Sequence, residues 1–158
     1  MAATAYPTAN RTLWNLATGF IAGFLGVLIF HQLMLGLLHL IGLTAGQPYA
    51  LRPVPPFGIP AVLSSAFWGG IWGIVFATVH HRFPRGSAYW VAVFLFGAIF
   101  PTLVAWFIVL PLKGMPAGNG WQPASMLTGL LVNGAWGVGT AFFLRRLPGV
   151  LRDSRRDI

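Results

Sequence analysis

The chain has 158 residues, 56% hydrophobic and only 8% charged, a composition that excludes an ordinary water-soluble domain. Ten Lys and Arg stand against two acids, and both acids, Asp153 and Asp157, lie in the last six residues. With no carboxylate between Met1 and Arg152 and no cysteine, the chain excludes paired-carboxylate hydrolysis, di-metal carboxylate sites, Ser-His-Asp triads, Glu-coupled proton antiport and thiolate chemistry.

Four runs are free of Asp, Glu, Lys and Arg: 12–51, 53–81, 86–112 and 114–144. Each exceeds the roughly 20 residues a helix needs to cross a bilayer, and barrel strands would be shorter and alternate. The most apolar parts predict four transmembrane helices over about 13–41, 57–78, 89–110 and 123–144, a single membrane domain of residues 1–158 with a basic tail, 145–158. The first run, Leu13–Ile41, is too long for a signal-peptide core of roughly 7–15 residues and reads as a retained anchor. The next connector, Gly46–Pro60, carries five prolines and predicts a stiff, extended outer loop. The short inner loop, His80–Ser87, makes the second and third spans antiparallel neighbours. Pro111, Pro116 and Pro123 mark a second stiff outer connector.

If both termini are cytoplasmic, the inner side carries Arg11, Arg82, Arg85, Arg145, Arg146, Arg152, Arg155 and Arg156, against Arg52 and Lys113 outside. The positive-inside bias therefore predicts that both termini are cytoplasmic, an N-in/C-in protein. The basic tail is then attracted to anionic lipid; it is short and lacks the interleaved aromatics of a nucleic-acid binder, so no nucleic-acid partner is expected.

The second and fourth spans share a pattern. Pro60, Ser65, Gly70, Trp72-Gly73, Arg82 and Pro84 match Pro123, Thr128, Gly134, Trp136-Gly137, Arg146 and Pro148, and more weakly Gly26 and His31 match Gly97 and Thr102. This suggests two helical hairpins related as a parallel repeat, with chance recurrence of Trp-Gly pairs as the alternative. Small residues at helical spacing, Gly19, Gly23 and Gly26, then Gly69, Gly73 and Ala77, then Gly134, Gly137 and Ala141, read as helix-packing faces. The third span has fewer and carries Phe94, Phe96, Phe100, Trp106 and Phe107, which predicts a peripheral position. Trp14, Trp90 and Trp121 read as interfacial anchors; Trp68, Trp72, Trp106 and Trp136 lie deeper and call for an acceptor for each indole N–H.

Counting from each span's inner arginine, His31, Gln32, Ser64, Ser65, Thr102 and Thr128 lie 17 to 21 residues away. At ~1.5 Å per residue this is roughly 25–31 Å, one polar layer in the outer part of the membrane. Pro101 beside Thr102 frees a backbone carbonyl at that level. An imidazole in a span is a functional candidate by default. The layer is read as the floor of a small outer cavity with Arg52 and Lys113 at its mouth, for a neutral or anionic guest. The alternative is that the hydroxyls bond their own helix carbonyls. His39 is eight residues beyond His31, too far along the helix to share an ion, so no metal is expected. Met126 lies at a similar depth to His31, but one His and one Met in a helix bundle are weak evidence for a haem, and no cofactor is expected.

The runs Val54-Pro55-Pro56-Phe57-Gly58-Ile59-Pro60-Ala61-Val62-Leu63-Ser64, Phe67-Trp68-Gly69-Gly70-Ile71-Trp72-Gly73, Phe96-Gly97-Ala98-Ile99-Phe100-Pro101-Thr102 and Val132-Asn133-Gly134-Ala135-Trp136-Gly137 resemble a set of small proteobacterial four-span hypothetical membrane proteins. The resemblance implies an inner-membrane location and brings no activity or site residues. Small multidrug exporters need a membrane Glu, and fluoride channels a Thr-rich break motif; neither occurs here. The reading is a non-enzymatic accessory or structural membrane protein, a homo-oligomer or a subunit of a larger complex. The alternative is a small transporter or binder of a hydrophobic or anionic small molecule.

Overall fold

A computed structural model describes residues 8–147 apart from Pro56 and Lys113. Lys113, Pro148 and the tail, with Arg152, Asp153, Arg155, Arg156 and Asp157, lie outside the described residues. Helix α1 (Thr8–Gly26) continues through a π turn (Val27–His31) into α2 (Gln32–Leu40). After a two-stranded hairpin, β1 (Pro53–Val54) and β2 (Ile59–Pro60), come α3 (Ala61–Val79) and a 3₁₀ turn (His80–Arg82). Helix α4 (Ser87–Val104) passes through a second π turn (Ala105–Val109) into α5 (Leu110–Leu112), and a 3₁₀ segment (Ala117–Trp121) leads to α6 (Pro123–Arg146). The stretches Leu13–Leu40, Ala61–Arg82, Ser87–Leu112 and Pro123–Arg146 are each long and apolar enough to cross a membrane. The architecture is an all-α bundle of four long helices, in which each backbone satisfies its own hydrogen bonds.

Two spans stop in the same way. Leu43 N–H bonds the Leu38 carbonyl (2.9 Å) and Gly42 N–H the His39 carbonyl (3.0 Å), with Gly42 at φ 75°. Met115 and Gly114 repeat the pattern on Leu110 and Pro111, with Gly114 at φ 71°. This paired closure satisfies carbonyls the last turn leaves open, and the left-handed position favours glycine.

The loops differ from the sequence expectation in two places. The second span starts at Ala61, not Phe57, because Pro53 pairs with Pro60 and Val54 with Ile59 around a turn that holds Gly58 at φ 66°. The last outer loop is coiled, not extended: Gly118, Asn119, Gly120 and Trp121 all take positive φ. Glycine and asparagine tolerate that region, so the Gly-Asn-Gly run supplies it at low cost.

Glycines decide which helices touch. A methyl on Gly23 would overlap the Gly69 carbonyl and press on the Gly73 backbone, and one on Gly73 would overlap the Gly19 carbonyl. Thus α1 and α3 meet backbone to backbone, antiparallel. On the other side, a methyl on Gly97 would overlap the Asn133 carbonyl and one on Gly137 the Val93 carbonyl, so α4 and α6 meet in the same manner. Rings complete the likeness: Phe20 covers Gly70 and Phe94 covers Gly134. The contact places Gly97 against Gly137 as Gly23 stands against Gly73. In this contact Gly23 stands where Gly97 does in the other pair, whereas sequence matching sets Gly26, three residues on, beside Gly97.

The pairs join through α1 and α6. Gly26 faces Thr140, Phe30 covers Gly139, and Trp136 donates its indole N–H to the Gly23 carbonyl at 2.9 Å. The core therefore gathers on Ala22, Val27, Phe76, Val93, Phe96, Trp136, Ala141 and Leu144. Helices α3 and α4 flank this centre, and although the short inner loop connects them, their backbones scarcely approach each other. Aromatic rings hold them apart, Phe76 on Phe96 at 5.4 Å and Phe83 on Phe96 at 5.8 Å.

Candidate functional site

The first polar cluster is built on the π turn. That turn ends at His31, and Gln32 opens α2 with its side chain buried. A π turn leaves backbone carbonyls open to outside donors. Tyr49 uses one: its hydroxyl donates to the Leu28 carbonyl at 2.8 Å, while its N–H donates to Gln32 Oε1 at 2.7 Å. Gln32 Nε2 reaches His31 Nδ1 at 3.4 Å, and the His31 ring is half-buried. Tyr49 sits at φ 53°, a strained conformation for a residue with a bulky side chain, and these two bonds hold it there. The same loop passes on to α3, where the Ala50 and Arg52 carbonyls accept from Val62 and Ala61 N–H. Tyr49 thus clips this proline-rich loop to the first span while its neighbours cap the second.

The second cluster ties α4 to α6. Thr102 is buried beside Pro101; its Oγ1 accepts from Asn133 Nδ2 at 2.8 Å and donates to the Gly129 carbonyl at 3.3 Å. No hydrogen bond among the described residues links this group to His31 and Gln32. The other residues of the expected polar layer point elsewhere. Ser64 is half-buried and Ser65 exposed on α3, and half-buried Thr128 bonds its own helix at the Ala124 carbonyl (2.8 Å). Arg52 is exposed on the same proline-rich loop. His39 Nδ1 pairs with the Thr44 carbonyl at 3.2 Å. Among the described residues, no three His, Cys, Asp or Glu side chains converge to hold a metal.

The sequence reading passed over three contributors. Asn133 carried a signal, since an amide deep in a span is costly unless paired. Gly97 carried a weaker one in its match to the first span. Tyr49 carried none, because nothing in a proline-rich connector marks one tyrosine for a left-handed backbone. Among the deep indoles, Trp136 finds its acceptor, whereas Trp68 is 60% exposed on the outside of the bundle.

At the arginine-rich end the charges rest on rings. The Arg145 guanidinium lies 4.3 Å from the Tyr89 ring centre and 5.2 Å from that of Trp90, and Arg146 lies 4.5 Å from that of Phe142. With no carboxylate in the first 152 residues, aromatic faces are the attractive partners the bundle itself offers these cations.

Apolar helices of membrane-crossing length, glycine-mediated crossings and polar groups bonded between spans define a multi-pass helical membrane protein. Comparison of the chain with protein-family models, curated proteins and solved structures finds no match.

Proposed function

We propose that this is a non-enzymatic structural or accessory protein of a bacterial inner membrane, with both termini cytoplasmic, working as a homo-oligomer or as a subunit of a larger complex. The observation that carries this reading is the use of the interior polar groups. Every buried side-chain nitrogen and oxygen among the described residues has a partner. Thr18 and Thr140 bond carbonyls of their own helices, Gln32 bonds the outer loop, and Thr102 bonds α6. These groups hold the bundle together. Its outer surface meanwhile presents Leu33, Phe67, Trp68, Phe100 and Phe107, a face suited to lipid or to other apolar helices. The eight-to-two arginine and lysine bias supports the orientation, and the matched glycine crossings support two hairpins related as a parallel repeat.

Extraction in mild detergent followed by native mass measurement tests this. A defined oligomer or co-purification with larger membrane subunits is expected; a lone monomer would refute it. A second reading, binding of a hydrophobic or anionic small molecule near His31, is favoured by the strained Tyr49 held over the π turn. It requires a bound small molecule in the native mass spectrum that His31→Ala removes.

A further inference from the structure

The space between α3 and α4 forms an apolar groove with a single charged residue at one end. The two helices are each drawn by glycines onto a different partner, so a groove of about 360 Å³ remains between them. It is lined by Trp72, Val75, Val79, Phe83, Phe96 and Phe100, with Arg82 as its single charged residue. Helices α1 and α6, by contrast, meet closely through Gly26, Gly139 and the Trp136–Gly23 bond.

We infer that this groove holds one acyl chain of an anionic phospholipid, whose phosphate sits on Arg82. Three observations support this occupant. First, length: Trp72 to Arg82 is ten residues, roughly 15 Å along a helix and about half of the ~30 Å hydrocarbon thickness, which is the depth of one leaflet. Second, polarity: away from Arg82 the lining residues are aromatic or aliphatic, so an acyl chain fits and a polar ligand would lose its hydration without compensation. Third, charge: Arg82 is exposed at the groove's end beside the His80-His81 pair, and Arg145 lies at the same end of the bundle against Tyr89 and Trp90. A phosphate at that level meets a guanidinium that no carboxylate among the described residues neutralises.

The test is native mass spectrometry of the full chain in detergent, titrated with phosphatidylglycerol or with phosphatidylcholine of identical acyl chains. The wild type should retain phosphatidylglycerol roughly fivefold better, the ratio that ~1 kcal/mol for one arginine near the surface corresponds to. Arg82→Gln should abolish that preference while leaving phosphatidylcholine retention unchanged. Val75→Trp, which fills the groove from a 41% exposed position, should lower retention of both lipids. Arg52→Gln, on the outer loop, should change neither. Far-UV circular dichroism of each variant separates lost binding from lost fold. Persistent preference in Arg82→Gln, or full retention of both lipids in folded Val75→Trp, would overturn the assignment. So would a dimer that Val75→Trp dissociates without any lipid having been retained, which would give the groove to a second copy of the chain.

Discussion

Helices α1 and α3 meet through the same kind of contact as α4 and α6, but the two pairs are secured by different means. In both, glycine backbones approach until a methyl would overlap a carbonyl, and in both a phenylalanine covers a neighbouring glycine. The α4–α6 pair adds a polar bond inside the bundle, from Asn133 to Thr102. The first span instead takes two polar bonds from the loop that follows it, through Tyr49 to Gln32 and Leu28, besides the Trp136 indole on Gly23. Close backbone contact positions the helices, and the polar locks sit wherever each half has an unsatisfied group. In membranes, where lipid supplies no hydrophobic drive between helices, packing and such bonds carry association.

The largest expected effect comes from the glycine crossings. Gly23→Ala and Gly97→Ala should each cost about 1–3 kcal/mol, because the obstacle is backbone that cannot rotate away. Unfolding titrations in mixed micelles measure this; a large cost at one site with none at the other would break the likeness of the two pairs. Next is Trp136→Phe, which removes the indole bond joining the pairs at Gly23 and should cost about 1 kcal/mol. A double-mutant cycle on Thr102→Val and Asn133→Leu should return a coupling near ~0.6 kcal/mol and below about 1.7. Zero coupling would remove the lock from the second pair. Gly70→Ala and Gly134→Ala should cost less than the crossing glycines, about 1 kcal/mol or under, if the facing rings swing aside. Smallest is Tyr49→Phe at a half-exposed position, about 0.5 kcal/mol, read as faster amide exchange in residues 46–52.

The four spans were legible because arginines punctuate apolar runs of bilayer length. Packing glycines were legible through their spacing, but the choice of partners was not. Gly23 and Trp136 lie 113 positions apart, and no local pattern announces that an indole will reach that carbonyl. The polar layer shows a different limit. Counting residues along a helix estimates depth but not direction, since successive residues turn by about 100°. Ser65 falls on an exposed face and Thr128 turns back onto its own helix, whereas Thr102 faces α6. The coiled last loop could have been anticipated from Gly118-Asn119-Gly120; three prolines nearby drew the reading toward an extended chain instead.

The two π turns have a further consequence. Each widens one stretch of its span, Val27–His31 and Ala105–Val109, beyond the glycine that fixes the crossing. An extra residue taken into one helical turn sets the following residues back by about 100°, so everything C-terminal to it is rotated relative to an uninterrupted helix. Gln32, Gly36 and the carbonyl of Leu28 thereby present one stripe to Tyr49 and Pro48, while Gly19 and Gly23 keep theirs on α3. The turn works as a phase shifter within a single rod. One span thus addresses its N-terminal half to a neighbouring helix and its C-terminal half to a loop.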